Sequence, residues 1–340
     1  MKPFTDSSDI ITDSDALAGR ARRDGYLFIK GLLPRNAVTD LRQKFLEIAA
    51  ESDWLRPDRP MTDAIADPSK ACADPEAAYV AVLKRLYRLE ALHALKHHPA
   101  VVGLFERLFG EPVLVHPMVI PRNIFPERPD LTTPPHQDFV HIQGTPECYA
   151  VWIPLSDCPV EMGGLQVAEA SHTQGVHDFR VSSGAGAMEV ADPLEGRWVG
   201  GNFAAGDVVI FHSMAVHRGA PNLTDRLRQS VDARYQRASE PIVEASLSPY
   251  AGTGTWDEVY ADWPSDELKY YWRRQNPRLA EFDRQYYDQR DRMAFDMARA
   301  GDQEARAALL RIVQRDPDSE KRATAERLVA HLDEVSPAAE

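Results

Sequence analysis

The sequence predicts a mainly β protein, a sandwich or barrel of short strands with helices before and after it. Between residue 113 and about residue 235, short apolar runs are separated by Gly, Pro and Asn, as in all-β domains. On both sides of this region, apolar residues recur at helical spacing. A chain of 340 residues can form one large domain or two modest ones.

The N-terminal part is predicted to combine helices with one strand. Residues 14–23 are expected to form a helix, Asp24-Gly25 a turn, and residues 26–29 a short apolar strand. The next helix has its apolar face on Val38, Leu41, Phe45, Ile48 and Ala49.

A long loop is expected over residues 52–78, which are rich in Asp, Pro and Ala. Residues 79–109 carry apolar positions at helical spacing, and Gly110 is expected to end this region as a C-cap. The clearest strands that follow are residues 113–116, 149–155, 208–211 and 229–235. The segments 175–200 and 241–265 are predicted to be long loops, which often carry specificity.

Two amphipathic stripes predict a helical hairpin at the end of the chain. They are Ala305, Ala308, Leu309, Ile312 and Val313, and then Ala325, Leu328, Val329 and Leu332. The sequence is therefore divided into a main domain at 1–245, with its β core at about 113–236, and an irregular and helical extension at 246–340. The extension is expected to cover the core or to close a homo-oligomer.

Composition limits the partners and the compartment. The net charge of -13 argues against nucleic acid or an anionic membrane as a partner. Cys72, Cys148 and Cys158 lack metal-type spacing, and their small number fits a reducing compartment. No run approaches the roughly 20 apolar residues of a membrane span. The expected location is the cytoplasm.

The triplet His136-Gln137-Asp138 is the first candidate for a functional site. In a β-strand, residues i and i+2 point to the same face, so the imidazole and the carboxylate would lie side by side. His217 has the parity to reach inward from a neighbouring strand, whereas His212 has the opposite parity. Two imidazoles and one carboxylate form the ligand set of a non-heme Fe(II) oxygenase. Alone, the triplet is equally compatible with a surface turn.

An ordered series of motifs resembles the phytanoyl-CoA dioxygenase family, over roughly residues 24–236. The motifs are His136-Gln137-Asp138-Phe139, Val151-Trp152-Ile153-Pro154-Leu155-Ser156-Asp157, Met162-Gly163-Gly164-Leu165, Ser171-His172, Gly206-Asp207, Phe211-His212-Ser213, His217-Arg218-Gly219, Pro221-Asn222 and Arg228. The resemblance implies a double-stranded β-helix, the jelly-roll or cupin-like fold. It also implies Fe(II) bound by His136, Asp138 and His217, with 2-oxoglutarate as co-substrate and O2 as oxidant.

The resemblance also implies a cation for the distal carboxylate of 2-oxoglutarate. Arg228, eleven positions after His217, has the family's offset, and a guanidinium matches a carboxylate bidentately. Arg226 is the rival, because strand parity does not separate the two. Arg122 and Asn123 are candidates for a further co-substrate contact. The chain departs from the family at Met162 and at Glu169-Ala170, where turn geometry is affected more than metal binding.

Several other residues are expected to have structural roles. His141 would face away from His136 on a regular strand and is expected in a loop. His172 is expected to be a hydrogen-bonded turn residue, and the doublet His97-His98 to face solvent. Trp152 is expected to pack inside the barrel. Gly163 is expected to permit a tight turn with positive φ.

The expected activity is hydroxylation of an unactivated C–H bond of a small molecule, with release of succinate and CO2. The substrate is expected to be a natural-product intermediate or amino-acid-like. Retention of the carboxylate at Asp138 argues against halogenation. Desaturation, cyclisation or epimerisation with the same cofactors, or an acyl-CoA substrate, are the alternatives. A non-catalytic binding protein and a zinc hydrolase are the hypotheses from other classes.

Overall fold

The computed structural model describes residues 1–126, 128, 132–182, 187–250 and 252–335. Helices dominate the two ends of this chain, and most strands lie between them. The predicted combination of a β core with helices before and after it is confirmed.

The strands assemble into two main sheets. In chain order they are β1 (Lys2–Pro3), β2 (Tyr26–Ile29), β3 (Val113–Ile124), β4 (Tyr149–Pro154), β5 (Leu165–Ala168), β6 (Phe179–Val181), β7 (Met188–Val190), β8 (Trp198–Gly200), β9 (Val208–His212), β10 (His217–Gly219), β11 (Arg228–Arg237), β12 (Ile242–Val243) and β13 (Leu279–Ala280). The larger sheet has the order β2-β9-β4-β11-β3 and is antiparallel. The smaller sheet has the order β1-β8-β5-β10. β6 and β7 form a hairpin, and β12 pairs with β13.

The two main sheets face each other across an apolar cluster. Trp152, Val209 and Phe211 come from the larger sheet, and Val167 and Val199 from the smaller one. All five are buried. Since successive side chains of a strand point to opposite faces, the residues between them in the larger sheet face the other way, towards the helices.

Helices cover that outer face of the larger sheet. In chain order, all α-helices of the described residues are α1 (Ser14–Asp24), α2 (Arg35–Glu51), α3 (Ala77–Tyr87), α4 (Glu90–Lys96), α5 (Pro99–Phe109), α6 (Phe139–Ile142), α7 (Trp256–Tyr260), α8 (Gln285–Arg299), α9 (Arg306–Arg315) and α10 (Ser319–Val335). Phe105 of α5 stacks on Tyr235 of β11, with 4.3 Å between the ring centroids. Leu41 and Phe45 of α2 belong to the same core.

The predicted helical region 79–109 is divided into three helices. Pro99 occupies the first turn of α5, where its missing N–H costs no helical hydrogen bond. Gly110 ends α5 with φ of 71°, and its N–H donates to the carbonyl of Glu106. The predicted C-cap is therefore confirmed, as is the strand at residues 26–29.

The C-terminal segment contributes to two cores. Tyr260, Trp263 and Trp272 pack into the core beneath the N-terminal helices. The helices α8, α9 and α10 form their own apolar cluster, which includes Val181 and Ala187 from the β6–β7 hairpin region. The predicted division at residue 245 stays a prediction, and residues 336–340 lie outside the described residues. In the described chain, no helix has the length and apolar character to cross a bilayer.

Candidate metal centre

Three buried side chains converge between the sheets: His136, Asp138 and His217. Nε2 of each histidine lies 3.8 Å from Oδ1 of Asp138, and the ring centroids of the two histidines are 4.1 Å apart. The potential ligand atoms all lie within 4.8 Å of one another. Among the described residues, this is the cluster of His, Cys, Asp or Glu side chains that could share a metal ion.

The backbone places these residues by an antiparallel bridge and a turn. The N–H of His136 donates to the carbonyl of His217, and the N–H of His217 donates back to His136, both at 3.0 Å. Asp138 is not on a strand: its φ of -63° and ψ of -32° are helical, and α6 begins after it. The predicted strand over the His-x-Asp triplet is therefore wrong, although the three side chains do lie together.

The Nδ1 atoms of His136 and His217 lie within hydrogen-bond distance of backbone carbonyls. His136 Nδ1 is 2.8 Å from the carbonyl of Pro134, and His217 Nδ1 is 3.0 Å from that of Ala215. A carbonyl only accepts, so Nδ1 carries the proton and the Nε2 lone pair is left for a metal ion. Burial lowers the pKa of both histidines, which keeps both rings neutral.

Arg234 holds the other oxygen of Asp138. Its Nε and Nη2 both lie 3.0 Å from Oδ2. Burial alone would raise the pKa of Asp138, but Arg234 and the two histidines outweigh it and hold that pKa below its ordinary value. Arg234 was not among the predicted site residues. Its signal in the sequence is its parity with Arg228 on the same strand.

A row of polar residues on β11 faces the space between the sheets. It consists of Arg228, Ser230, Asp232, Arg234 and Gln236, and the apolar residues between them pack beneath the helices. Polar residues on a strand otherwise surrounded by core are expensive to bury, which makes this row the clearest mark of a binding site.

Arg228 has no counter-ion in the described chain. It is buried, and its Nε has no hydrogen-bond partner there. Its Nη1 lies 3.4 Å from Oγ of Ser230, and its guanidinium lies 5.7 Å from the ring centroid of Trp152. Trp152 is buried in the cluster between the sheets, so its predicted packing role is confirmed. A buried guanidinium without a carboxylate is suited to bind an anionic ligand.

The other candidates for the co-substrate site are separated by the structure. Arg226 is exposed on the segment before β11, away from the polar row. Arg122 is half-buried and forms an ion pair with Asp232. Asn123 faces the opposite side of the sheet, where its Oδ1 accepts from Gln229 at 2.9 Å. The structure therefore does not bring Asn123 to the side of Arg228, because neighbouring residues of a strand alternate in direction.

Two histidine predictions are wrong. His141 lies on α6 rather than on a strand, and its ring centroid is 6.3 Å from that of His136. His97 is half-buried against Tyr271, with 4.3 Å between ring centroids, and burial lowers its pKa to about 3. His172 is in a 3₁₀ turn and contacts the carbonyl of Arg22 at 3.0 Å, as predicted.

The Gly163 turn lies beside the metal-binding strand. Gly163 has φ of 78°, which confirms the prediction of a positive φ. A Cβ placed there would lie 2.3 Å from the carbonyl oxygen of Ala220, directly after β10. A side chain at residue 163 would therefore displace the strand that carries His217.

The sequence is similar to one family profile and to several characterised proteins. The sequence profile described as phytanoyl-CoA dioxygenase (PhyH) matches residues 21–230, more than half of the chain. The chain is 26% identical over 272 residues to 1-deoxypentalenic acid 11-beta-hydroxylase from Streptomyces arenae, covering 73% of this chain and 89% of that protein. It is 28% identical over 258 residues to L-proline trans-4-hydroxylase from Streptomyces griseoviridis, covering 68% and 89%.

One solved structure is similar to this chain in its fold. The structure of the epimerase SnoN in complex with Fe3+, alpha ketoglutarate and nogalamycin RO has a TM-score of 0.51 and 23% identity, covering 72% of this chain and 92% of that one. At this identity the likeness concerns the fold alone. The profile match over residues 21–230 establishes that the chain belongs to the phytanoyl-CoA dioxygenase family.

Proposed function

We propose that this protein is an Fe(II)- and 2-oxoglutarate-dependent dioxygenase that hydroxylates a C–H bond of a small molecule. The observation that carries the proposal is the combination of the His136, Asp138 and His217 cluster with a buried Arg228 between the same two sheets, which has no counter-ion among the described residues. We propose that these sheets form the jelly-roll barrel of the family, with the metal centre between them.

The residues of the cluster fit a ferrous ion. Two neutral imidazoles offer Nε2, and Asp138 offers Oδ1 while Arg234 holds Oδ2. Two histidines and one carboxylate leave ligand positions open on an iron atom, as oxygenase chemistry requires. Bound there with 2-oxoglutarate, ferrous iron would supply the oxygen chemistry that yields succinate, CO2 and an oxidised substrate.

The remaining side chains position the reactants and exclude water. Arg228 would bind the distal carboxylate of 2-oxoglutarate, which satisfies its orphaned Nε and neutralises its charge. Beside the polar row of β11, Trp152, Val167 and Phe211 line the space between the sheets with apolar surface. A dry site strengthens these electrostatic contacts and protects a reactive oxidant from side reactions.

Hydroxylation is the proposed outcome, and the substrate is proposed to be a natural-product intermediate or an amino-acid-like molecule. The names of the two relatives support this, since both are hydroxylases, one named for a carboxylic acid and one for proline. Retention of Asp138 supports hydroxylation over halogenation. Desaturation, cyclisation or epimerisation would use the same ligands and would be recognised from the product.

The test begins with metal and co-substrate binding, which needs no substrate. We expect an absorption band when Fe(II) and 2-oxoglutarate are added without oxygen, and succinate after oxygen is admitted. His217→Ala should lose both. Arg228→Met should weaken 2-oxoglutarate binding at least about 30-fold, because truncating one partner of a buried charge pair costs about 2–5 kcal/mol.

Arg226→Met is the matched control, since it removes an exposed arginine two residues away. It should leave the band and the 2-oxoglutarate affinity unchanged. In the metal-free protein, Arg228→Met should also raise the melting temperature, because it removes a buried charge that has no counter-ion among the described residues. Absence of the band in the parent protein, or full 2-oxoglutarate affinity in Arg228→Met, contradicts the proposed function.

A further inference from the structure

The C-terminal helices contact a histidine beside the metal cluster, although they lie beyond the matched residues 21–230. Tyr287, in the first turn of α8, has its hydroxyl 2.8 Å from Nδ1 of His141. The ring of His141 lies 5.8 Å from that of Tyr287 and 6.3 Å from that of the proposed ligand His136, between centroids. One imidazole thus lies close to both the C-terminal helices and the metal cluster.

The direction of this hydrogen bond depends on the charge of the two groups and on the partners within reach of the hydroxyl. Burial lowers the pKa of His141 to about 4, opposed by Asp138 and reinforced by Arg290. Burial raises the pKa of Tyr287, opposed by Arg290. Among the described residues, the Tyr287 hydroxyl has no hydrogen-bond partner other than Nδ1 of His141, so its O–H is satisfied when the phenol donates to a neutral imidazole. Because Nδ1 accepts, Nε2 of His141 carries the proton and is a hydrogen-bond donor.

Tyr287 is itself held in place. The guanidinium of Arg290 lies 4.8 Å from its ring centroid. Arg290 donates to Asp291 Oδ1 at 2.8 and 2.6 Å, and Oδ2 of Asp291 lies 2.5 Å from the ammonium of Lys321 on α10. Two helices of the C-terminal unit therefore fix the phenol.

A pair of hydrogen bonds also connects α6 to the C-terminal segment. Gln143, the C-cap of α6, donates to the carbonyl of Asp283 at 2.8 Å and accepts from the N–H of Asp283 at 2.7 Å. Since Asp138 immediately precedes α6, this one-turn helix is attached to the metal centre at one end and to the C-terminal unit at the other.

We propose that Tyr287 is a positioning residue of the active site, which orients His141 as an N–H donor to an oxygen bound at the metal centre. Through Tyr287, the C-terminal helices then contribute to that site. This inference rests on the proposed function for its catalytic consequence, and its test uses a metal probe that needs no 2-oxoglutarate.

The test compares Tyr287→Phe, which removes only the hydroxyl, with Tyr286→Phe, the same change at the neighbouring residue. In metal-free protein, imidazole nitrogen NMR should show His141 as a single Nε2–H tautomer in the parent and in Tyr286→Phe. Tyr287→Phe should give a mixture of tautomers. In Co(II)-loaded protein, the visible ligand-field bands should shift in Tyr287→Phe and in His141→Ala. Tyr286→Phe should match the parent.

A Co(II) spectrum of Tyr287→Phe that superimposes on the parent's overturns the proposal, as does an unchanged tautomer. Loss of folding is excluded by the melting temperature, and His141→Ala supplies the independent variant. If the parent binds Co(II) but not 2-oxoglutarate, the proposed function fails while a shift in Tyr287→Phe still supports the positioning role. A parent that binds no Co(II) overturns both.

Discussion

At the scale of single residues, the two oxygens of Asp138 have different partners. Oδ1 is 3.8 Å from both histidines, while Arg234 holds Oδ2 with two nitrogens at 3.0 Å. Two guanidinium nitrogens on one carboxylate oxygen hold that oxygen in place and stabilise its charge. Oδ1 is then left to bind a metal ion, so Arg234 determines which oxygen of Asp138 acts as the ligand.

Arg234→Met is expected to weaken metal binding roughly 10- to 100-fold, the usual effect of losing a partner that orients a ligand. Without the guanidinium, burial raises the pKa of Asp138, and protons compete with the metal ion. The metal-free variant should also lose about 3–5 kcal/mol of unfolding free energy, because a buried carboxylate is left unpaired. Calorimetric titration with Fe(II) or Co(II) measures the first effect.

Arg237→Met is the control for this variant, because Arg237 ends the same strand but is only partly buried. Its metal affinity should equal that of the parent. Parent-like affinity in Arg234→Met would mean that the ion pair does not orient Asp138.

The candidate site was partly predictable from sequence. The spacing of His136, Asp138 and His217 made a metal centre a candidate, and the ordered series of motifs that resembles the family favoured that interpretation and the choice of Arg228. Arg234 and Tyr287 were missed, because their roles depend on contacts with residues 96 and 146 positions away along the chain. Such contacts leave no periodic pattern for sequence analysis to detect.

At the scale of elements, β3 has an irregularity opposite Arg234. Val119 pairs with Ala233 and Val115 with Tyr235, so three residues of β3 lie opposite one of β11. Bulges of this kind redirect side chains next to functional sites. The carbonyls of His116 and Pro117 in the bulge accept hydrogen bonds from the buried ammonium of Lys96.

Lys96→Met is expected to destabilise the protein although it replaces a buried charge by an apolar group. The methionine fills a similar volume, but the carbonyls of His116 and Pro117 lose their donor, at about 1–3 kcal/mol each. Removal of the desolvated amine offsets part of this loss, so we expect a net decrease of about 1–3 kcal/mol. Urea unfolding, with the exposed Lys84→Met as control, provides the measurement. A variant as stable as the parent would contradict this role for Lys96.

The elements with clear apolar periodicity were predicted well, whereas β6, β7 and β8 lie in the segment 175–200, which was predicted to be a long loop. Apolar periodicity located β2, β9 and the helix starting at Ser14 to within a residue or two. The one-turn helix after Asp138 was not predicted, because four residues are too few to show a period of 3.6. That helix is what turns His141 towards the site.

At the scale of the whole molecule, burial of neutral histidines couples stability to pH. Burial lowers the pKa of His116 to about 3 and of His141 to about 4, and it lowers the pKa of His93, His136 and His217 as well. The unfolded chain takes up protons below about pH 6.5, whereas the folded chain does not. Acid therefore favours the unfolded state.

The metal-free protein is expected to lose stability as pH falls from about 7 to about 5.5. His116 and His141, whose folded pKa values lie below this interval, each reduce the free energy of unfolding by about 1 kcal/mol over it, and the other buried histidines act in the same direction. Calorimetric melting at the two pH values measures it, and His116→Gln should reduce the slope. A melting temperature that is constant or rises on acidification would contradict the burial of neutral imidazoles.

The domain boundary at residue 245 and a homo-oligomer formed through the C-terminal helices stay predictions. The helices α8, α9 and α10 have an apolar cluster of their own, yet Tyr287 and Asp283 tie them to α6. The cytoplasmic location also stays a prediction.

The polar row on β11 has a consequence for how this sequence can change over evolution. Arg228, Asp232 and Arg234 share one face of a single strand, whereas the intervening apolar residues share the other. Inserting or deleting one residue within the strand would exchange these two faces for every position beyond the change. Point substitutions can therefore adjust the row one position at a time. Changes in length must fall in the connecting loops, so β11 should keep a constant length among proteins that retain this site.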